Sequence, residues 1–275
     1  MENKKYSEYF QEQIFDVFKK EDLKSLADNL EEYLTIQGVA IESYRNRYFR
    51  DFNREIIDEN IEENNIFIDE DKVESQNEKL QKLYSDIEYC NSDLKLFTAN
   101  LYILRPTINN PTIEKTIILG EVRHTYSQNF SDWNYLALVS CCYEKLYNYW
   151  DRIGDALAMY LRLDIKGKIY FPIVIDKLKE EYKNSNNESL NFLINFRDIE
   201  FKEFNEIRIE VVHYNQFETT YKYDFNKCNN DENKINNLWE SKRNMPEYFK
   251  NHLELSVLGY KHCFKFIQEH FNKNL

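Results

Sequence analysis

Apolar side chains return every three or four positions along most of the chain. Between residues 6 and 34 they are Tyr9, Phe10, Ile14, Val17 and Phe18, then Leu23, Leu26, Leu30, Tyr33 and Leu34. This is the spacing of one face of a helix and predicts one or two helices there. A second helical tract covers about 38–64. A third, about 72–103, sets Val73, Leu80, Leu83, Tyr84, Ile87, Leu94, Phe97 and Leu101 on its buried side. The segment RPTINNPTIEKT, 105–116, then breaks the pattern with two of the four prolines and predicts a boundary or a long connection.

Ser131-Asp132 reads as the start of the next helix, about 132–162, which is apolar on most faces. A helix of that kind belongs in the middle of a bundle. Phe171-Pro172 opens another, because proline in the first turn loses no hydrogen bond; it ends in the polar run Lys183 to Asn187. A helix over about 188–213 places Leu190, Leu193, Ile194, Phe196, Ile199, Phe204, Ile207 and Val211 around its buried side. Residues 215–232 show no clear helical period, and the short alternation FETTYKYDF is open to an extended reading. A last helix, about 246–272, begins beside Pro246.

With only 5 Gly and 4 Pro in 275 residues, the tight turns that a β-sandwich or an α/β sheet requires are missing. The expected fold class is all-α. It comprises an N-terminal acidic helical region, 1–130, and a helical bundle, 131–275.

Charge sharpens that division. The net charge is -12, of which residues 1–130 carry -10 (16 Lys+Arg against 26 Asp+Glu) and residues 131–275 carry -2 (20 against 22). A generally basic nucleic-acid coat is thereby excluded, although a local basic cleft is not. The stretch 55–71 contains Glu55, Asp58, Glu59, Glu62, Glu63, Asp69, Glu70 and Asp71 with no Lys or Arg; it reads as a solvated helix face or an acidic partner-binding surface. No 18-residue apolar stretch occurs and mean hydropathy is -0.72, so no membrane-spanning helix is expected. The start MENKKYSEYF has no apolar leader region, and five cysteines at 90, 141, 142, 228 and 263 form no regular spacing. A reduced, cytoplasmic protein is the expectation.

Glycine occurs only at 38, 120, 154, 167 and 259, so neither phosphate-binding glycine motif can be written and no cofactor is expected. No metal site is expected either. His252, His262 and His270 share one predicted helix, but 252 and 270 lie about 27 Å apart along it, and 262 and 270 about 12 Å. Partly exposed or capping histidines are the plainer account, and packing explains Cys141-Cys142. Arg47, Arg50 and Arg54 fall on one helix face, as a phosphate-backbone contact requires. Arg47 with Asp51 and Arg54 with Asp58, each at i+4, offer surface ion pairs instead.

The sharpest feature is Arg208-Ile-Glu-Val-Val-His213-Tyr214-Asn215, at the end of the helix that starts near 188. Arg can hold a phosphate through two parallel hydrogen bonds, and His can move a proton near neutral pH. Together they suffice to cleave RNA without metal. In a regular helix the two residues are separated by about 140° around the axis and about 7.5 Å along it, so they converge only if the helix distorts or ends there, or if a dimer mate supplies one of them. The other reading pairs Arg208 with Glu203 or Glu206 and has His213 cap the helix. Asp151 and Arg152, inside the apolar helix, line a cleft or form a solvated edge.

Arg-x4-His followed by an aromatic, late in an all-α segment, resembles the signature of the HEPN superfamily. The segment NYWDRIGDALAMYL, 148–161, resembles the central helix of its clostridial-type members, and the likeness covers roughly 131–275. The resemblance implies a bundle of four or five helices and a homodimer in which two Arg/His pairs face one cleft. It implies metal-independent endoribonuclease activity on RNA, often in toxin or antiviral-defence systems with a protein antitoxin or regulator. Arg208 would grip the phosphate and His213 act as acid or base, with Tyr214 and Asn215 as supporting neighbours. The family commonly has a polar residue directly after the Arg, where this chain has Ile209. That departure points to the alternative, a non-catalytic bundle binding RNA, a nucleotide or a protein partner.

Overall fold

The computed structural model of the chain describes residues 70–183, 185–211 and 216–274. The first helix among these residues, α1 (Glu70–Leu104), follows the stripe expected of it: Leu83, Tyr84, Ile87, Leu94 and Leu101 are buried. Pro106, which has no N–H to continue the ladder, closes it in a 3-10 turn, Arg105–Thr107. An antiparallel hairpin follows, β1 (Lys115–Ile118) and β2 (Glu121–His124), with Lys115 opposite His124 and Ile118 opposite Glu121. Its turn residues Leu119 and Gly120 have φ of 54° and 83°, the left-handed backbone that the commonest two-residue hairpin turn demands. Asn230 ties the hairpin down, accepting the His124 N–H at 2.8 Å and donating to the Val122 carbonyl at 2.9 Å.

Helix α2 (Phe130–Tyr160) starts on Asn129 rather than at Ser131-Asp132. The Asn129 side chain accepts the Asp132 N–H at 2.9 Å, and Asp132 Oδ2 accepts the Asn129 N–H at 3.0 Å. Two donors that a helix start leaves unpaired are thus satisfied reciprocally. Then come α3 (Phe171–Glu181), with Pro172 in its first turn, and α4 (Glu188–Phe196), capped by Asn187. Between α4 and α5 (Lys202–Ile209) lies a single wide π-helical turn, Arg197–Phe201. The chain ends in α6 (Phe217–Lys227), α7 (Glu232–Arg243) and α8 (Met245–Asn274).

Two expectations change. The wide turn holds one residue more than an α-turn, so the buried face passes from Phe196 to Phe201 and Phe204, and Ile199 turns outward at 63% exposure. The segment FETTYKYDF is helical, not extended; it buries only Tyr221 and Phe225, one turn apart, which leaves too sparse an apolar pattern to read. The all-α class holds, with the hairpin as an addition among the described residues.

Helix α2 packs against α1, α3, α5, α6 and α8. One core joins them and draws on residues from Leu83 to Ile267, so α1 and the helices beyond residue 130 are built around the same apolar interior. Trp150, fully buried on α2, stacks on Phe196 with ring centroids 3.8 Å apart. Gly259 of α8 also lies against this ring, where a Cβ would come within 2.2 Å of the indole Cη2. Gly259→Ala therefore forces a packed ring to move and is expected to cost about 1–3 kcal/mol. A thermal unfolding midpoint equal to wild type would show that Trp150 has room to yield. No helix among the described residues is long and apolar enough to cross a membrane.

Candidate functional site

Arg208 is reached through close packing of α2, α3 and α5. Where α2 meets the start of α3, Gly154 lets the backbones touch; a Cβ there would lie 2.9 Å from Phe171 Cα. That approach brings the first N–H of α3, on Phe171, to the Asp151 carboxylate one turn earlier on α2, at 3.1 Å. A carboxylate at a helix N-terminus satisfies a free donor and meets the positive end of the helix dipole. Burial still pushes the Asp151 carboxyl up to about 6; the Phe171 N–H and the Tyr147 hydroxyl oppose the rise, and Asp155 adds to it. Asp151 is thus half-buried beside Tyr147, while Arg152 turns away to pair with Asp155 at 2.5 Å and Asp86 at 3.7 Å.

The other wall is α5. Its Phe204 is fully buried, Phe201 before it packs on Phe171 at 5.2 Å, and Arg208 follows one turn after Phe204. The guanidinium of Arg208 sits over the Tyr147 ring, 4.0 Å from its centroid. Neither Glu203 nor Glu206 pairs with it, and among the described residues no carboxylate lies within 4.0 Å of its nitrogens. Arg208 Nε is buried without a hydrogen-bond partner among the described residues, and so is Asn205 Oδ1 one turn earlier. Buried polar groups are normally paired, so an unfilled donor and an unfilled acceptor on one helix face call for an explanation. Burial, with Asp151 adding to it, pushes the Tyr147 hydroxyl up to about 12.

Beyond Arg208 the helix loses its regular register, and Glu210 and Val211 lie in a wide π-type turn. Ile209 is 37% exposed. His213, Tyr214 and Asn215 lie outside the described residues, as do Arg47, Arg50, Arg54 and residues 55–69 of the acidic run.

The three histidines of α8 have separate surroundings. His270 Nδ1 lies 2.7 Å from the Tyr182 hydroxyl, and His262 stacks on Phe192 at 4.2 Å with Nδ1 3.2 Å from Ser189 Oγ. His252 is buried rather than partly exposed, between Tyr248 at 4.5 Å and Phe204 at 5.8 Å. Among the described residues no three His, Cys, Asp or Glu side chains cluster as metal ligands would. Cys142 is buried in the core and Cys141 beside it is half-buried.

Burial pushes the His252 imidazole down to about 4. The unfolded chain, whose histidine titrates near its ordinary value, takes up the proton first as pH falls. The stability that the neutral ring contributes is therefore complete above about pH 6.5 and is lost progressively toward pH 4, on the order of 3 kcal/mol in all. Urea midpoints of wild type and His252→Gln should differ in their pH slope over that window and run parallel above pH 7. Parallel curves throughout would mean that His252 is solvated.

Sequence reasoning weighed Asp151 without assigning it a role and missed Tyr147 and Asn205. A charged pair inside an apolar helix was the available signal for Asp151. Tyr147 precedes it by one turn on the same face.

No curated protein and no solved structure matches the chain. A family profile does: that of the HEPN_Cthe2314-like HEPN family matches residues 114–268, more than half of the chain, from just before the hairpin to the last turns of α8. The chain belongs to this HEPN family.

Proposed function

We propose that the protein is a metal-independent endoribonuclease that acts as a homodimer, with Arg208 holding the scissile phosphate and His213 moving the proton. The observation that carries this reading is the condition of Arg208: a guanidinium held by an aromatic face, with no carboxylate partner among the described residues and its Nε unfilled. Such a group keeps its charge and its donors free for a phosphate. The wide turn at Glu210 and Val211 supports it as well. It departs from the regular α-register, in which positions five apart stand about 140° around the axis.

Arg and His supply a fixed charge and a proton carrier, so the nucleophile comes from the substrate, as the 2′-hydroxyl beside the phosphate. The 2′-oxygen bonds to phosphorus as the bond to the 5′-oxygen breaks. The base takes the 2′-proton and the acid returns one to the leaving oxygen. Tyr214 and Asn215 would support the pair, and Arg47, Arg50 and Arg54 would add phosphate contacts from the acidic region 1–130. A toxin or antiviral-defence role, a protein antitoxin or regulator, and a cytoplasmic location complete the proposal.

Cleavage of single-stranded RNA should persist in EDTA, spare DNA of the same sequence, and leave a 2′,3′-cyclic phosphate on the upstream product. Ile209, exposed where relatives commonly have a polar residue, favours a second reading: a non-catalytic bundle that binds RNA, a nucleotide or a protein partner. Retention of labelled RNA without any cut would decide for it.

A further inference from the structure

We infer that Tyr147 and Asp151 are positioning residues that set the aim of Arg208. The inference rests on the reading above for its purpose, but the support itself is present without substrate. Tyr147 and Asp151 stand one turn apart on α2, and the Tyr147 hydroxyl helps to hold the Asp151 carboxyl down against burial. The carboxylate is fixed in turn by the Phe171 N–H at 3.1 Å, so the charge beside the phenol is held at the start of α3. The ring is also flanked by Phe201, 6.2 Å away, and offers a face to Arg208 at 4.0 Å.

Holding an arginine this way differs from holding it with an ion pair. A carboxylate takes up N–H donors and neutralises the charge. An aromatic face attracts the cation while accepting none of its in-plane hydrogens. A negative charge beside the phenol also strengthens the ring's hold on a cation. Asp151 thus contributes its charge through the phenol and leaves the guanidinium unsaturated, which accounts for a buried Nε without a partner.

The test uses the full chain labelled with ¹⁵N-arginine, the Arg208 Nε–H resonance being identified by its loss in Arg208→Lys. In wild type, ring current should displace this resonance, and its exchange with water should be slow. Tyr147→Leu, which removes the ring, should abolish the displacement, whereas Tyr147→Phe should keep it. Asp151→Asn, which keeps an acceptor for Phe171 and loses the charge, should speed the exchange several-fold. An Arg208 resonance that Tyr147→Leu leaves in place overturns the inference. Should Tyr147→Leu fail to fold, unchanged exchange in Asp151→Asn overturns it equally.

Cleavage gives the second readout. A displaced phosphate-holding group costs about ten-fold or more in kcat, so Tyr147→Leu should show that loss alone and no further loss on top of Arg208→Ala. A merely structural effect would lower both backgrounds by the same factor, and that result also overturns the inference. If wild type cuts no RNA, the resonance still decides the positioning and only the ribonuclease reading falls.

Discussion

Lys242→Met is expected to destabilise the protein by about 3–5 kcal/mol, since it strands a carboxylate in the core. Asp132 is fully buried and Lys242 is 3% exposed, and the two form an ion pair. Burial pulls the Lys242 ammonium below its ordinary value, and Asp132 pulls it back. The carboxylate is satisfied on every side: besides Lys242, its Oδ2 accepts the Asn109 N–H at 3.1 Å and the Asn129 N–H at 3.0 Å. Around Lys242, its carbonyl takes the Tyr135 hydroxyl at 2.7 Å, and its ammonium lies 4.9 Å from the centre of the Tyr221 ring. One pair therefore ties the loop after α1, the start of α2, α6 and the end of α7. Removing the cation alone leaves a buried charge, while removing both charges does not. Asp132→Asn with Lys242→Met should accordingly be more stable than Lys242→Met by itself in urea titrations. A single variant within about 1 kcal/mol of wild type would mean that water reaches Asp132.

That pair shows where the sequence stops being legible. Asp132 marks the helix start correctly in kind and two residues late in place, because a capping residue is visible locally. Its cation is 110 positions away on α7, which buries little besides Ile235 and Trp239 and so shows hardly any apolar stripe. Long apolar faces were readable: the stripe of α1 and the burial of α2 on most of its faces emerged as expected. The π-type turn was not, since Ile199 falls in helical register and only an extra residue in the turn sends it outward. The hairpin was hidden for a different reason. Ile117, Leu119 and Val122 are exposed, so no alternation of buried and exposed positions announces the strands. At the candidate site, the sequence singles out Arg208 through its spacing to His213. Its seat on Tyr147 joins two helices through a contact that no local pattern encodes. The same holds for Gly259 against Trp150.

Arg208 differs from Lys242 in a way that makes the mechanism testable by substitution. No carboxylate among the described residues depends on Arg208, and its side chain covers a tyrosine ring rather than filling the core. Arg208→Ala therefore strands no charge, and its unfolding midpoint is expected to stay close to wild type. Its activity should not. Losing a positioned acid or base typically costs about 10²–10⁴-fold, so His213→Ala is expected to lose at least that much of kcat. Loss of the group that neutralises the phosphate should be of similar size. Arg208→Lys keeps the charge without the planar fork and should recover only part of the loss. If Arg208 and His213 serve one reaction, the double variant should be scarcely worse than either single one, because groups that act as a unit do not lose activity additively. The measurement is kcat on a single-stranded RNA in EDTA, with circular dichroism to show that each variant is folded. Folded variants that cut RNA as fast as wild type would place the chemistry elsewhere, and a wild type that binds RNA without cutting it would leave Arg208 as part of a binding surface.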